Sequence, residues 1–412
     1  MVLSVNADLT EMIREAREVL RGVVHRTPLS SSMTFSQMTG GEVYLKLENL
    51  QKTGAFKLRG AYYALWKRLQ EAPLSLCVTA SSGNHGQGVA YAASVLGVKS
   101  KVVMPVHTPV YKVQAVKGYG AEVVLHGETY DDAYAKAKEI AEREGAFFVH
   151  PFDDERVIAG QGTIGLEIAE DLPVVDIVVV PVGGGGLISG IAVALKAVCG
   201  KHVKVIGVQP KGAPALYESY RKGSLVTVER PQTIADGVIV KRPGRLTFKL
   251  IQEFVDDMVV VDDREIARAM FLLLERAKLV AEPAGALSVA ALLSGAVNVK
   301  GKKVVAVVSG GNVDMSLLSR IIERSLYLEG RQVKIRGVLP DRPGELKKVI
   351  DVIAEYRLNI VHIEHERGNP LINPGYAEVT IGVEVPSLEV VKKVLAKLKG
   401  QGIEFELVNP HE

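Results

Sequence analysis

One lysine near the start of the chain has surroundings suited to covalent chemistry. Residues 52–61 read KTGAFKLRGA and place Lys57 in the first turn of a predicted helix that continues through YYALWKRL. Thr53 is the predicted N-cap of that helix, and Gly54 allows a tight turn before it. The positive end of the helix disfavours an ammonium charge, and a neutral lysine forms a Schiff base with a carbonyl compound. Taken alone, the motif also fits a solvated lysine on an amphipathic helix.

A second segment, residues 78–93, has the composition of an anion-binding turn. It reads VTASSGNHGQGVAYAA, which predicts a short strand, a glycine-rich loop and then a helix. Such a loop presents several backbone N–H groups to an anion, and its polar side chains add further donors. An ordinary strand-to-helix turn with a capping serine is the alternative. We expect the loop to bind an amino-acid carboxylate through Ser81, Ser82, Gly83, Asn84 and His85.

A third segment, residues 177–195, reads IVVVPVGGGGLISGIAVAL and has four consecutive glycines before a predicted helix. Glycines let the backbone wrap closely around a phosphate at a helix N-terminus. The spacing does not fit the GxGxxG pattern of dinucleotide sites, and Gln209 stands where such sites have an acidic residue. The sequence therefore predicts a monophosphate site formed by Gly183, Gly184, Gly185, Gly186 and the amide of Leu187.

A fourth segment, VVAVVSGGNVD at residues 304–314, places Ser309 directly after a predicted buried strand. In open α/β sheets, ligands gather at the carboxyl ends of the strands. An imine-forming lysine, a carboxylate cradle, a monophosphate loop and a hydroxyl group together describe a site for pyridoxal 5'-phosphate.

These loops have to be positioned by sheets. From about residue 40 to 330, short β-branched runs alternate with longer helical stretches, which is typical of parallel strands joined by helices. We expect an α/β fold of two lobes with open twisted sheets and a cleft between them, the smaller lobe holding roughly residues 45–150. The predicted strands are Val43–Leu47, Leu76–Ala80, Ser100–Pro105, Ala121–Leu125, Val174–Pro181, Val203–Val208 and Lys303–Val308.

The pattern changes after residue 330. Strand, helix, strand, strand, helix and strand follow one another within about 80 residues, which is the order of a ferredoxin-like βαββαβ unit. We therefore expect a separate C-terminal domain at residues 331–412, which leaves residues 1–328 for the catalytic domain.

Composition excludes several classes of protein. Among 412 residues, 50 are basic and 47 acidic, without a concentrated basic stripe, so we expect no nucleic-acid partner. The most apolar region, residues 174–199, is interrupted by Asp176, Pro181 and the glycines, which argues against a membrane span. The charged N-terminus predicts no signal peptide, and Cys77 and Cys199 lie in apolar surroundings that predict reduced thiols. We expect a cytoplasmic protein.

Residues 20–320 resemble the fold-type II pyridoxal phosphate enzymes, whose fold is like that of the tryptophan synthase β subunit. Within them, the chain is similar to the threonine and serine dehydratases and to serine racemase. KTGAFKLRGA resembles the cofactor-lysine motif, SSGNHGQG the dehydratase loop and GGGGL the phosphate loop. The resemblance implies that Lys57 carries the cofactor and that Phe56 lies beside its ring. It also implies that Asn84 contacts the ring hydroxyl and that Ser309 bonds to the pyridine nitrogen.

By the same resemblance, Asp236 in TIADG and Glu282 in EPAGA line or support the site. The implied reaction removes water from L-threonine and yields 2-oxobutanoate and ammonia, with the Lys57 amine taking the α-proton. L-Serine is a second expected substrate. The motifs leave Ser82 open between a binding and a catalytic role, because the equivalent serine of racemase-like relatives acts on the second face of the substrate.

Other functions stay open at this point. A serine dehydratase or serine racemase would share the fold, although Gln209 replaces the acidic residue of the racemase cation site and we predict no metal site. His362 and His365 do not change this, because three residues apart on a strand they point to opposite faces. A catalytically silent amino-acid sensor is the third alternative, against which the presence of Lys57 and Ser309 argues.

The C-terminal unit resembles an ACT domain, with DRPGEL at residues 341–346 between its first strand and first helix. Such loops bind small amino acids, and the helix N-terminus receives a carboxylate. We expect isoleucine or valine to act as an effector and the enzyme to be the regulated first step of isoleucine biosynthesis. A domain that only joins subunits is the alternative, and the resemblance implies a homodimer or homotetramer. The expected effector residues are Asp341, Gly344, Glu345 and Leu346.

Overall fold

The structure is a computed structural model that describes residues 2–408, with side chains from residue 7 onward. The chain forms two compact units, of which the first ends at Asp314 and the second begins at Met315. The boundary at residues 328–331 between catalytic and regulatory parts stays a prediction.

The first unit contains a six-stranded sheet whose central strands are buried on both faces. Parallel strands covered on both sides have near-continuous apolar sequences, as in IVVVP and KVVAVV. Only the first strand of the sheet runs antiparallel to its neighbour. In spatial order the strands are Leu29–Ser31, Glu42–Leu47, Lys303–Val308, Ile177–Pro181, Lys204–Pro210 and Asp257–Val261.

A second sheet of the first unit has four parallel strands. All of them fall within the span predicted for the smaller lobe, so the α/β fold with two open sheets is confirmed. In spatial order the strands are Glu122–Leu125, Lys99–Met104, Leu76–Ala80 and Phe147–Phe148.

Helices cover both sheets, and three strands were missing from the sequence prediction. Leu29–Ser31 and Phe147–Phe148 are too short to show a period, and Asp257–Val261 is an edge strand that starts with an acid. None of the helices within residues 2–408 combines the length and apolarity that a bilayer span requires. The helices of this unit are Val2–Leu20, Met33–Thr39, Lys57–Glu71, Asn84–Leu96, Val110–Gly118, Tyr130–Glu144, Glu155–Asp171, Gly186–Cys199, Ala215–Lys222, Arg245–Phe254, Asp263–Ala277 and Pro283–Leu293.

The second unit is an antiparallel four-stranded sheet with three helices, Met315–Leu328, Glu345–Glu355 and Leu388–Gly400. Alternate residues of the central strands, such as Ile335 and Ile381, are buried against the last two helices, as a sheet with one core face requires. The ferredoxin-like prediction is confirmed. In spatial order the strands are Ile360–Glu366, Tyr376–Glu384, Gln332–Pro340 and Phe405–Val408.

Candidate active site

Lys57 is the first residue of the helix Lys57–Glu71. Its Nζ donates a hydrogen bond to the carbonyl oxygen of Pro151 at 2.8 Å and lies 5.2 Å from the ring centroid of Phe56. Removal of the amine from water lowers the pKa of Lys57 to about 8, although the carboxylate of Glu282 opposes this shift. The neutral fraction of the Lys57 amine near physiological pH is therefore small but far larger than that of an ordinary lysine.

The predicted N-cap of this helix is wrong. Thr53 lies four residues before the first helical residue, and its hydroxyl group contacts the carbonyl oxygen of Ala55 at 3.4 Å instead. The capping position belongs to Phe56, whose backbone N–H donates to the carbonyl oxygen of Ser309 at 3.1 Å. The loop before Lys57 is thus attached to the end of a neighbouring strand.

A buried ionic network holds the helix that begins at Lys57. Arg59 is 1% exposed and bonds to Glu48 at 2.8 Å and to Glu167 at 2.6 Å. Lys46 lies 2.7 Å from Glu167 as well, so two cations and two carboxylates neutralise one another. Because Arg59 follows Lys57 by two residues, the network fixes the first turn of the helix.

The loop predicted to receive a carboxylate precedes the helix Asn84–Leu96. The hydroxyl oxygen of Ser81 accepts a hydrogen bond from the N–H of Gly83 at 3.2 Å, and Ser82 is partly exposed beside it. The first N–H groups of a helix have no intrahelical partner, so this loop offers donors to an anion.

His85 lies differently from the other loop residues. Its side chain is buried, with Nε2 3.1 Å from the carbonyl oxygen of Val149, and burial lowers its pKa to about 3, with Lys57 contributing. The ring is therefore neutral and directed at the backbone. Its main-chain N–H lies in the first helical turn, where it has no intrahelical acceptor and can donate to an anion bound in the loop.

Asn84 joins three loops. Its Nδ2 donates to Oε1 of Glu282 at 2.6 Å, and its Oδ1 accepts from Nδ2 of Asn312 at 2.8 Å. The pKa of Glu282 is raised to about 7, mainly by burial and secondly by the negative charge of Asp236. Asn312 follows Ser309 in the segment SGGN, but the sequence analysis missed it, and only its position after the strand could have indicated a role.

Gly183, Gly184 and Gly185 occupy the turn before the helix Gly186–Cys199, whose first residue is the fourth glycine. Gly185 has φ +97°, a backbone conformation that favours glycine. A Cβ on Gly184 would lie 2.3 Å from the ring of Phe152, and the carbonyl oxygen of Gly184 accepts from the hydroxyl of Thr247 at 2.7 Å. Packing, as well as backbone conformation, therefore requires glycine here.

Ser309 directly follows the strand Lys303–Val308 and is 4% exposed. The next residue, Gly310, forms an isolated β-bridge with Ala55, so the strand end and the Lys57 loop are side by side. Ser309 therefore lies beside the loop that leads into Lys57.

Gln209, which stands where known sites have an acidic residue, makes hydrogen bonds that support the surrounding backbone. Its Oε1 accepts from the N–H groups of Leu216 and Tyr217 at 2.9 and 2.8 Å, and its Nε2 donates to the carbonyl oxygen of Val182 at 3.2 Å. The amide thus supports the residue just before the four glycines. Only a side chain with both a donor and an acceptor makes these bonds.

Residues 149–153 are a second feature that the sequence analysis missed. Besides the contacts of Val149, Pro151 and Phe152 given above, the carboxylate of Asp153 accepts from the N–H groups of Leu246 and Thr247 at 3.0 and 3.1 Å. One five-residue segment therefore touches the lysine, the His85 ring, the glycine turn and a further helix. The histidine and the aspartate of VHPFD were the available signal, because the two-residue strand before this segment was not predicted.

In the second unit, the predicted effector loop precedes the helix Glu345–Glu355. Gly344 has φ +95°, and no atom lies within 4 Å of a Cβ placed on it, so backbone conformation alone favours glycine. The carboxylate of Asp341 pairs with Nε of Arg367 at 2.8 Å. Glu345 pairs with Lys348 at 2.9 Å, and Leu346 packs against the core of this unit.

Comparison with known families agrees with this site. A family model described as pyridoxal-phosphate dependent enzyme matches residues 20–310, and a model of the ACT domain matches residues 329–401. The chain therefore belongs to the family of pyridoxal-phosphate dependent enzymes and carries an ACT domain. The resemblance drawn from the motifs is confirmed at this level, including the dependence on pyridoxal phosphate.

Individual relatives show which enzymes of this family the chain is similar to. The chain is 48% identical to an L-threonine ammonia-lyase of Thermotoga maritima over 398 residues, which cover 97% of this chain and 99% of that protein. The solved structure of threonine deaminase isoform 2 from Solanum lycopersicum has a TM-score of 0.73 at 38% identity, covering 77% of this chain and 88% of that one. Maize serine racemase has a TM-score of 0.72 at 37% identity, with coverage of 78% and 98%.

The donor set fits the cofactor of this family. Lys57 is a lysine whose pKa is lowered to about 8, as imine formation with an aldehyde requires. The glycine turn at the start of the helix Gly186–Cys199 has the form of a phosphate site, since N–H groups and the helix dipole converge there. Ser309 adds a buried neutral residue at the strand end.

Proposed function

We propose that this protein deaminates L-threonine to 2-oxobutanoate and ammonia by eliminating water. The observation that carries the proposal is the convergence of a lysine with a lowered pKa, an asparagine-containing anion loop and a strand-end serine. The similarity to an L-threonine ammonia-lyase over 97% of the chain supports threonine as the substrate.

We assign a residue of the protein to each part of the cofactor. Lys57 binds its aldehyde carbon, Phe56 lies beside its ring, and Asn84 and Ser309 contact the ring hydroxyl and the pyridine nitrogen. The depth of burial of Ser309 and the bonds that orient Asn84 support these assignments. The phosphate is held by Gly183, Gly184, Gly185, Gly186 and the N–H of Leu187.

The remaining groups handle the substrate. When bound, pyridoxal phosphate withdraws electrons from the α-carbon of an amino acid and so makes its proton acidic. The substrate's amino group would first displace Lys57, and the freed neutral amine of Lys57 would take the α-proton. The β-hydroxyl group takes up a proton as it leaves, so that one hydrogen and one hydroxyl group are lost together as water. The substrate carboxylate binds to Ser81, Ser82, Gly83, Asn84 and His85, with His85 using its main-chain N–H. Hydrolysis of the carbon–nitrogen bond finally releases ammonia and the 2-oxo acid.

Serine is the second substrate of the proposal. It differs from threonine by one methyl group, and pockets discriminate such a difference by only ~1 to 3 kcal/mol. The similarity to maize serine racemase makes racemisation the alternative reaction, with Ser82 exchanging a proton on the face opposite Lys57. Ser82 is partly exposed in the anion loop, which is compatible with a catalytic role.

The ACT domain is the regulatory part of the proposal. Isoleucine or valine binds at the loop Asp341 to Leu346, where the helix N-terminus receives its carboxylate. The enzyme then serves as the controlled first step of isoleucine biosynthesis, in the cytoplasm, as a homodimer or homotetramer. Residues 1–328 carry catalysis and residues 331–412 carry regulation. The ACT match at residues 329–401 supports this division.

A product assay tests the proposed reaction. Ammonia and the 2-oxo acid are measured after incubation of the pyridoxal phosphate-loaded protein with L-threonine or L-serine, and D-serine is measured in parallel. The proposal expects equal amounts of ammonia and 2-oxobutanoate from threonine. Formation of D-serine without turnover of threonine would instead establish the racemase.

A further inference from the structure

The side-chain amide of Asn84 is held at both ends by other side chains. Nδ2 donates to Oε1 of Glu282 at 2.6 Å, and Oδ1 accepts from Nδ2 of Asn312 at 2.8 Å. An amide nitrogen has two N–H groups. Within residues 7–408, the second N–H of Asn84 has no hydrogen-bond acceptor of its own, so it is available to a ligand.

The orientation of the Asn84 amide follows from its neighbours. Nδ2 of Asn312 also donates to the carbonyl oxygen of Thr53 at 2.8 Å, so its nitrogen has to face these two oxygens. The oxygen of Asn84 therefore faces Asn312, and its nitrogen faces Glu282. A flipped Asn84 amide would place its nitrogen against a donor and its oxygen against a carboxyl oxygen, losing both bonds.

The side chain of Glu282 bonds to Asn84 and does not cap the helix that follows it. Glu282 occupies the N-cap position of that helix, Pro283–Leu293. A Cβ on Gly310 would lie 2.3 Å from Oε1 of Glu282, so a glycine is needed for the carboxyl group to reach Asn84. The Glu282 N–H donates to the carbonyl oxygen of Gly310 at 3.0 Å, which fixes the two loops together.

The charged groups around Glu282 oppose one another. Burial and the carboxylate of Asp236 favour the protonated form of Glu282, whereas Asn84, Lys112 and Lys57 favour the ionised form. Glu282 is 6% exposed, so little water competes for its oxygens. A change in its charge therefore acts directly on the strength of the bond to Asn84.

We propose that Glu282 and Asn312 are positioning residues that act through Asn84. They hold its amide so that the second N–H donates to the oxygen of the hydroxyl group on the cofactor ring. The inference rests on the proposed cofactor contact of Asn84. It adds two residues, one of which no motif indicated, and it assigns them an effect on cofactor binding that is independent of which amino acid the enzyme deaminates.

A double-mutant cycle on cofactor affinity tests the inference. The variants are Glu282→Ala, Asn84→Ala and the double variant, and the readout is the dissociation constant of pyridoxal phosphate measured by absorbance. Ser288→Ala is the matched control, because its hydroxyl donates a buried 2.7 Å hydrogen bond from the same helix to Val307 but does not touch Asn84. Substrate is absent, so failure of the threonine reaction would not affect the result.

The expected result is strong coupling between Glu282 and Asn84. Each single alanine variant weakens cofactor binding about tenfold, and the double variant is no weaker than Asn84→Ala alone, whereas Ser288→Ala combines with Asn84→Ala multiplicatively. Asn312→Ala should couple to Asn84 in the same way. Multiplicative effects of Glu282→Ala and Asn84→Ala would overturn the proposal.

The conservative variant Glu282→Gln separates positioning from stability. Its carbonyl oxygen still accepts from Asn84, so cofactor binding should stay within about threefold of wild type. The pH dependence of cofactor affinity should be weaker in Glu282→Gln than in wild type, because a glutamine side chain does not titrate. An unchanged pH profile in Glu282→Gln, or a loss of binding equal to that of Glu282→Ala, would contradict the role.

Discussion

Lys57 combines a fixed position with an amine that is easily deprotonated. At a pKa of about 8, roughly one amine in ten is neutral at pH 7, compared with about one in three thousand for an ordinary lysine. We predict that the rate at which the cofactor-free protein captures pyridoxal phosphate rises with pH, is half-maximal near pH 8 and levels off at about pH 9. Stopped-flow absorbance between pH 6 and 9.5 measures this. A rise that continued past pH 9 would mean that burial does not lower the pKa.

At the same scale, the side chain of Arg59 is predicted to stabilise the folded protein. Arg59→Met leaves the buried carboxylates of Glu48 and Glu167 without their guanidinium partner, which should cost about 3 to 5 kcal/mol of unfolding free energy. Arg143→Met is the matched control, because Arg143 pairs with Glu139 and Glu144 at the surface and should cost less than about 1 kcal/mol. Urea unfolding measures both. Equal losses would argue against a strong network.

At the scale of elements, the glycine turn depends on a residue from another loop. Gly184→Ala would bring a Cβ within 2.3 Å of the Phe152 ring, so the turn has to move and cofactor affinity should fall at least about tenfold. Gly118→Ala is the control, since a Cβ there meets no atom within 4 Å. The dissociation constant of pyridoxal phosphate measures the effect. Unchanged affinity in Gly184→Ala would show that the turn tolerates a side chain.

Short-range signals explain what could be predicted from sequence. Lys57 lies in the first turn of its helix, and the four glycines lie at the start of theirs, because strand-to-helix turns have a characteristic local composition. The partner of Asn84 in the segment SGGN lies 228 residues away, and no local pattern indicates such a contact. The error at Thr53 has the same cause, since a backbone bond from Phe56 to Ser309 sets where the helix begins.

At the scale of the whole molecule, the two units are predicted to have separable tasks. Gly344→Ala forces a side chain into φ +95°, which strains the predicted effector loop by about 1 to 3 kcal/mol. Threonine turnover without effector should stay unchanged, whereas inhibition by isoleucine should require a higher concentration. Gly400→Ala, at a helix end with open space around it, is the control. Isoleucine titrations of turnover compare them, and an unaltered titration in Gly344→Ala would place the effector elsewhere.

The central claim is that Lys57 carries the cofactor and performs threonine deamination. The most direct measurement compares wild type and Lys57→Ala, both supplied with pyridoxal phosphate, for release of ammonia and 2-oxobutanoate from L-threonine. Wild type should release equimolar products, and Lys57→Ala should lose at least about a thousandfold in kcat, because the imine-forming amine and the base are removed together. Turnover by Lys57→Ala close to the wild-type rate would contradict it.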